Sequence, residues 1–163
     1  MDKIDWCFKK EKGIRLAESN QNLVKGYLKM AEDSIGTMQR EKDKNIVFSV
    51  SAGYYAVYYS LYAVMQKVGI KCEIHSCSIE FMKIYLNDFY SEKDNDIVEI
   101  AFSTRNILQY YVETSVNKED IKYVLDNAYD FFVKSRGIIS ILNENKINDI
   151  RKRLINKKED ESK

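Results

Sequence analysis

The run Asn45-Ile46-Val47-Phe48-Ser49-Val50-Ser51-Ala52-Gly53-Tyr54-Tyr55-Ala56-Val57-Tyr58-Tyr59-Ser60-Leu61-Tyr62-Ala63-Val64-Met65-Gln66 contains no charged side chain. Val47, Val50, Tyr54, Val57, Leu61 and Val64 recur at steps of three and four residues, the spacing of one face of an α-helix. Tyr55, Tyr58, Tyr59 and Tyr62 make a second stripe beside the first. A helix that is apolar or aromatic on most sides has to be surrounded by other helices. The run is also long enough to cross a bilayer. Its five tyrosines and the hydroxyls of Ser49, Ser51 and Ser60 fit the centre of a helical bundle better than contact with lipid, so no membrane association is expected.

Outward from this helix, expected over 45–68 and stopped by Gly69, the chain divides at its polar caps. The residues before Gly13 suggest a short helix over 4–11. Ser19 or Asn20 caps a helix over 20–42, with Leu23, Tyr27, Met30, Ala31, Ser34 and Met38 on one face. Ser76 is expected to cap a helix over 77–89. The acids from Ser91 to Asp94 suit the positive end of a helix running to Thr114. Asn117 opens another over 118–143, with Ile121, Val124, Leu125, Ala128, Phe131, Phe132 and Val133 inward. From Lys146 the chain is charged and reads as a solvated helical tail or a frayed end. There is no proline and there are only six glycines. These features predict an all-α fold, an antiparallel bundle of four to five main helices. They form a single domain over 1–145, followed by a charged tail over 146–163.

A net charge of +1 argues against a protein that wraps duplex DNA but allows a local phosphate site. Cys7, Cys72 and Cys77 cannot all pair within one chain. Met1-Asp2-Lys3-Ile4-Asp5-Trp6 has no apolar leader, so a cytoplasmic location is the expectation.

Four groups of residues could carry chemistry. Cys72, His75 and Cys77 lie close together, with Cys7 as the only further thiol for a zinc site. The spacing matches no known finger, and no metal is expected. His75 is the sole histidine and thus the one side chain of ordinary general-base pKa. Its place before a helix start equally suits a local hydrogen bond. The stripe Tyr55, Tyr58, Tyr59 and Tyr62 could stack on bases, although packing is the commoner use of such a stripe. The fourth group centres on Arg105. On a helical wheel of about 100° per residue, Ile97, Val98, Ala101, Leu108 and Val112 share an arc, and Arg105 falls inside that arc near its polar border. A guanidinium there needs a partner. One candidate is a buried carboxylate from another helix. The other is an anion held together with Asn106, Gln109 and Tyr110, the phosphate chemistry of an arginine fork.

The segment from Ser51 to Ala63, with its small residues and Tyr-Tyr-Ala core, resembles the second helix of the HEPN superfamily (higher eukaryotes and prokaryotes nucleotide-binding). Tyr27-Leu28-Lys29-Met30-Ala31-Glu32-Asp33-Ser34 looks like that family's first helix. Gly69, His75, the helix carrying Phe81, and Arg105-Asn106 follow its usual course, so the likeness covers about 20–143.

The resemblance implies a bundle that forms a homodimer, with the arginine motifs of two protomers meeting in one cleft that binds RNA or nucleotide. Many members are metal-independent ribonucleases without a cofactor, some of them toxins neutralised by a small nucleotidyltransferase. Arg105 matches the motif's arginine and Asn106 the polar residue after it, while Tyr110 stands where the histidine is expected. A phenol is a poor general base at neutral pH but can still donate to a phosphate oxygen. On this resemblance Arg105, Asn106 and Tyr110 are the catalytic positions, and Arg105, Gln109 and His75 are those that bind nucleotide or RNA. Cleavage is left open by Tyr110. Two other readings remain: a non-catalytic subunit that docks a nucleotidyltransferase, and a sensor of small nucleotides.

Overall fold

The computed structural model describes residues 2–112 and 114–160. Among them are seven helices and one two-residue strand pair, so the fold is all-α. In chain order these are α1 (Lys3–Lys9), β1 (Arg15–Leu16), α2 (Gln21–Glu41), α3 (Ile46–Val68), β2 (Ile70–Lys71), α4 (His75–Tyr85), α5 (Glu92–Tyr110), α6 (Lys118–Ile141) and α7 (Glu144–Asp160). Strands β1 and β2 pair antiparallel, Arg15 opposite Lys71 and Leu16 opposite Ile70.

Helix α3 occupies the centre and touches α2, α4, α5, α6 and α7. The Asn45 side chain caps its start by accepting from the Phe48 N–H. Gly69 ends it at φ +79°, in the left-handed region that glycine enters without steric cost. Gly53 has a packing role, since a Cβ there would lie 2.9 Å from Met38 Sδ and 3.0 Å from Val124 Cγ1. Its missing side chain lets α2 and α6 close on α3. No helix among the described residues is long and apolar enough to cross a membrane.

The boundaries differ from the sequence reading in instructive places. Helix α4 starts at His75 with Ile74 as its cap, and Ser76 lies inside its first turn. The Ile74 carbonyl accepts from both the Cys77 and Ser78 N–H groups, which winds the helix before a serine cap could act. The chain after Leu86 turns instead of continuing to 89, with the Phe89 and Tyr90 N–H groups donating to the Leu86 carbonyl. Helix α5 ends at Tyr110, and Tyr111 is its cap. Helix α2 buries Val24, Ala31, Ile35 and Met38, leaving Leu23 and Met30 exposed on the other edge of the expected stripe. Val133 is likewise exposed.

The charged C-terminal segment is helical as α7, and its Ile150 and Leu154 are buried. Arg151 fastens it, its Nη1 donating to the carbonyls of Ala17, Val68 and Gly69 at 2.8, 3.1 and 2.9 Å.

Candidate functional site

Arg105 is 6% exposed. No carboxylate among the described residues pairs with it. Instead the guanidinium lies on aromatic faces of α3, its Cζ 4.5 Å from the centre of the Tyr54 ring and 5.5 Å from that of Tyr55. Such cation–π contacts stabilise a desolvated arginine by about 2 kcal/mol, which explains how the charge is tolerated on this face. Nη1 donates to Asn106 Oδ1 at 2.9 Å. Nε is buried and makes no hydrogen bond among the described residues. A buried donor left without an acceptor costs about 1–3 kcal/mol, so the geometry is one that an anion would improve.

Tyr54 connects this arginine to His75 through a short hydrogen bond between its hydroxyl and His75 Nδ1. The imidazole stacks on Tyr58, ring centres 3.9 Å apart and 22° from parallel. Phe102, one turn before Arg105, packs against the Tyr54 ring. His75 reaches this place because residues 70–74 run back along α3 in extended form. At about 3.3 Å per residue, that return brings α4's first residue level with the middle of α3, whose Tyr62 hydroxyl accepts from the Cys72 N–H.

Burial, and secondarily the Arg105 charge, holds the His75 imidazole below its ordinary value, so it is neutral at neutral pH. Burial also raises the Tyr54 phenol strongly, against the pull of Arg105. The phenol therefore keeps its proton, and Nδ1 is the ring nitrogen engaged with its hydroxyl.

The expected site residues therefore separate. Arg105, Asn106 and His75 come together around Tyr54. Gln109 lies one turn further on and donates to Ser51 Oγ at 2.9 Å, at the edge of a neighbouring groove. Tyr110 is 67% exposed at the last residue of α5. Five residues turn a helix through about 140° past a full circle, which carries Tyr110 away from the face holding Arg105. The tyrosine stripe also divides, Tyr58 and Tyr62 packing in the core while Tyr55 and Tyr59 line the groove. Tyr54 was legible only as a residue of the apolar stripe, and Tyr58 as one of a stripe that packs or stacks on bases. Nothing in their spacing announced a histidine 21 positions away.

The cysteines divide as well. Cys7 and Cys77 form a disulfide that ties α1 to α4, and Cys72 is a buried free thiol. A zinc site of the kind considered would need both bonded sulfurs as thiolates. Among the described residues no group of three histidines, cysteines or carboxylates could hold a metal.

No known protein family and no curated protein matches the chain.

Proposed function

We propose that this chain is a HEPN-like helical protein that binds RNA or a nucleotide through its phosphate, at a cleft containing Arg105, and that it works as a homodimer. The observation that carries the reading is the state of Arg105: buried, resting on Tyr54 and Tyr55, with Nε lacking an acceptor among the described residues. Asn106 orients one arm of the guanidinium, and His75 supplies a neutral ring nearby.

Binding is better supported than cleavage. The phenol of Tyr110 is a poor base, and one nitrogen of His75, Nδ1, is already bonded to Tyr54. The cleaving form of the proposal is a metal-independent ribonuclease of a toxin–antitoxin or defence system. Purified protein would then cut single-stranded RNA in the presence of a chelator and leave a cyclic phosphate end. Arg105→Ala is expected to abolish both RNA retention and any cutting. Retention that survives the substitution sinks the assignment.

A second reading is a non-catalytic subunit that docks a small nucleotidyltransferase. It is favoured by exposed apolar side chains near the Gln109–Ser51 contact, namely Phe48 at 62%, Tyr110, Tyr111, and Val112 at 96% exposure. Co-purification of a nucleotidyltransferase, weakened by Phe48→Ser, would distinguish it.

A further inference from the structure

Between α2, the start of α3 and the end of α5 lies a groove of about 800 Å³, within the range of about 300–1,000 Å³ common for small-molecule sites. Phe48, Tyr55 and Tyr59 supply its aromatic walls, and Tyr55 and Tyr59 are stacked with ring centres 5.5 Å apart. Asp33 and Glu41 are its acids, and no lysine or arginine lines it. Asp33 is already paired to Lys29 at 2.6 Å. Glu41 has no ion pair among the described residues. The groove thus offers stacking faces and one uncommitted carboxylate, and its charge disfavours a phosphate.

The groove is coupled to Arg105 at two points. Tyr55 forms part of its wall and also lies under the guanidinium, 5.5 Å from Cζ. Gln109, one helical turn from Arg105, reaches Ser51 across the groove's edge. Tyr55 thus stands between the guanidinium and the groove.

We infer that the groove is a base-recognition site selective for guanine, with Phe48 and Tyr55 as the stacking faces at the end of the groove that holds Glu41, and Glu41 accepting from the donor edge of the base. The inference rests on the phosphate reading of Arg105. Guanine presents an imino N–H and an amino group side by side, and a carboxylate can accept from both at once. Uracil presents a single imide N–H flanked by two carbonyl acceptors, which Glu41 would repel. A stacked base contributes about 1–3 kcal/mol, and a well-formed pair of hydrogen bonds discriminates between bases by a similar amount.

The test measures equilibrium binding of GMP, UMP, guanosine and inorganic phosphate to the full chain and to Glu41→Gln and Phe48→Ala. Both substitutions fall on exposed or half-exposed side chains, and circular dichroism checks the fold. GMP should bind about tenfold more tightly than UMP. Glu41→Gln should remove that preference, and Phe48→Ala should weaken both nucleotides without changing phosphate binding. Equal binding of GMP and UMP overturns the base site while leaving the Arg105 reading standing. Guanosine that binds as well as GMP upholds the base site and removes the phosphate reading. A GMP preference that persists in both variants, or no binding by any nucleotide, overturns the inference.

Discussion

Two arginines lie against α3, one at its C-terminal end and one along its N-terminal half, and they are held in opposite ways. Arg151 meets the C-terminal end, where one nitrogen donates to three carbonyls, those of Ala17, Val68 and Gly69. It satisfies backbone acceptors that a helix end leaves open and ties α7 and the β1 segment to the core. Arg105 meets the N-terminal half of α3, where it rests on Tyr54 and Tyr55 with Nε unpartnered among the described residues. The first is architecture, because its bonds run to backbone acceptors of the same chain. The second has donor capacity left over in a desolvated place, and that surplus marks it as a ligand-binding group.

The comparison can be broken most readily at Arg151. Arg151→Met is expected to lower the unfolding free energy by roughly 2–3 kcal/mol, the scale of charge-assisted hydrogen bonds withdrawn from partly buried acceptors. Urea titration followed by circular dichroism reads this. Arg105→Met should change stability by less than about 1 kcal/mol, because the methionine keeps the packing while removing an incompletely paired charge. Equal large losses in the two variants would erase the distinction.

An effect smaller than that at Arg151 is expected at Tyr54. Tyr54→Phe leaves His75 Nδ1 without its hydrogen-bond partner and should cost about 1 kcal/mol, while phosphate binding through Arg105 persists. The smallest effect is in the pH dependence of stability. The folded His75 sits below its ordinary value of 6.5, chiefly through burial. Its contribution is therefore fully present above 6.5 and is lost as pH falls from there through the lower folded value, because the unfolded chain takes up the proton first. His75→Gln should flatten that part of the profile. His75 is the only histidine, so no other imidazole obscures the slope.

What the sequence disclosed follows from the range of each interaction. Helix α3 was legible because its periodicity is local and unbroken, and Asn45 and Gly69 act as its caps. Helix α2 was legible in extent but not in rotation. Its apolar stripe is wider than the strip that α3 covers, so Leu23 and Met30 remain outside while Val24 and Ile35 are buried. The inward face of α7 was concealed by flanking charge, although Ile147, Ile150 and Leu154 keep helical spacing. Arg105 stood out because a lone charge on an apolar arc is a local anomaly. The Tyr54–His75 bond and the Cys7–Cys77 disulfide depend on how the return after Gly69 and the docking of α1 on α4 bring distant positions together. No spacing rule encodes those encounters.

The most direct measurement is the ligand-induced rise in melting temperature, with GMP as ligand, for the wild-type chain, Arg105→Met and Arg151→Met. A ligand that binds only the folded state stabilises it by RT ln(1 + L/Kd), where L is the free ligand concentration. The account predicts that Arg151→Met starts from a lower melting temperature yet keeps the rise, whereas Arg105→Met starts near the wild-type value and loses it. A rise retained in Arg105→Met would contradict the assignment of that side chain as the phosphate-holding group.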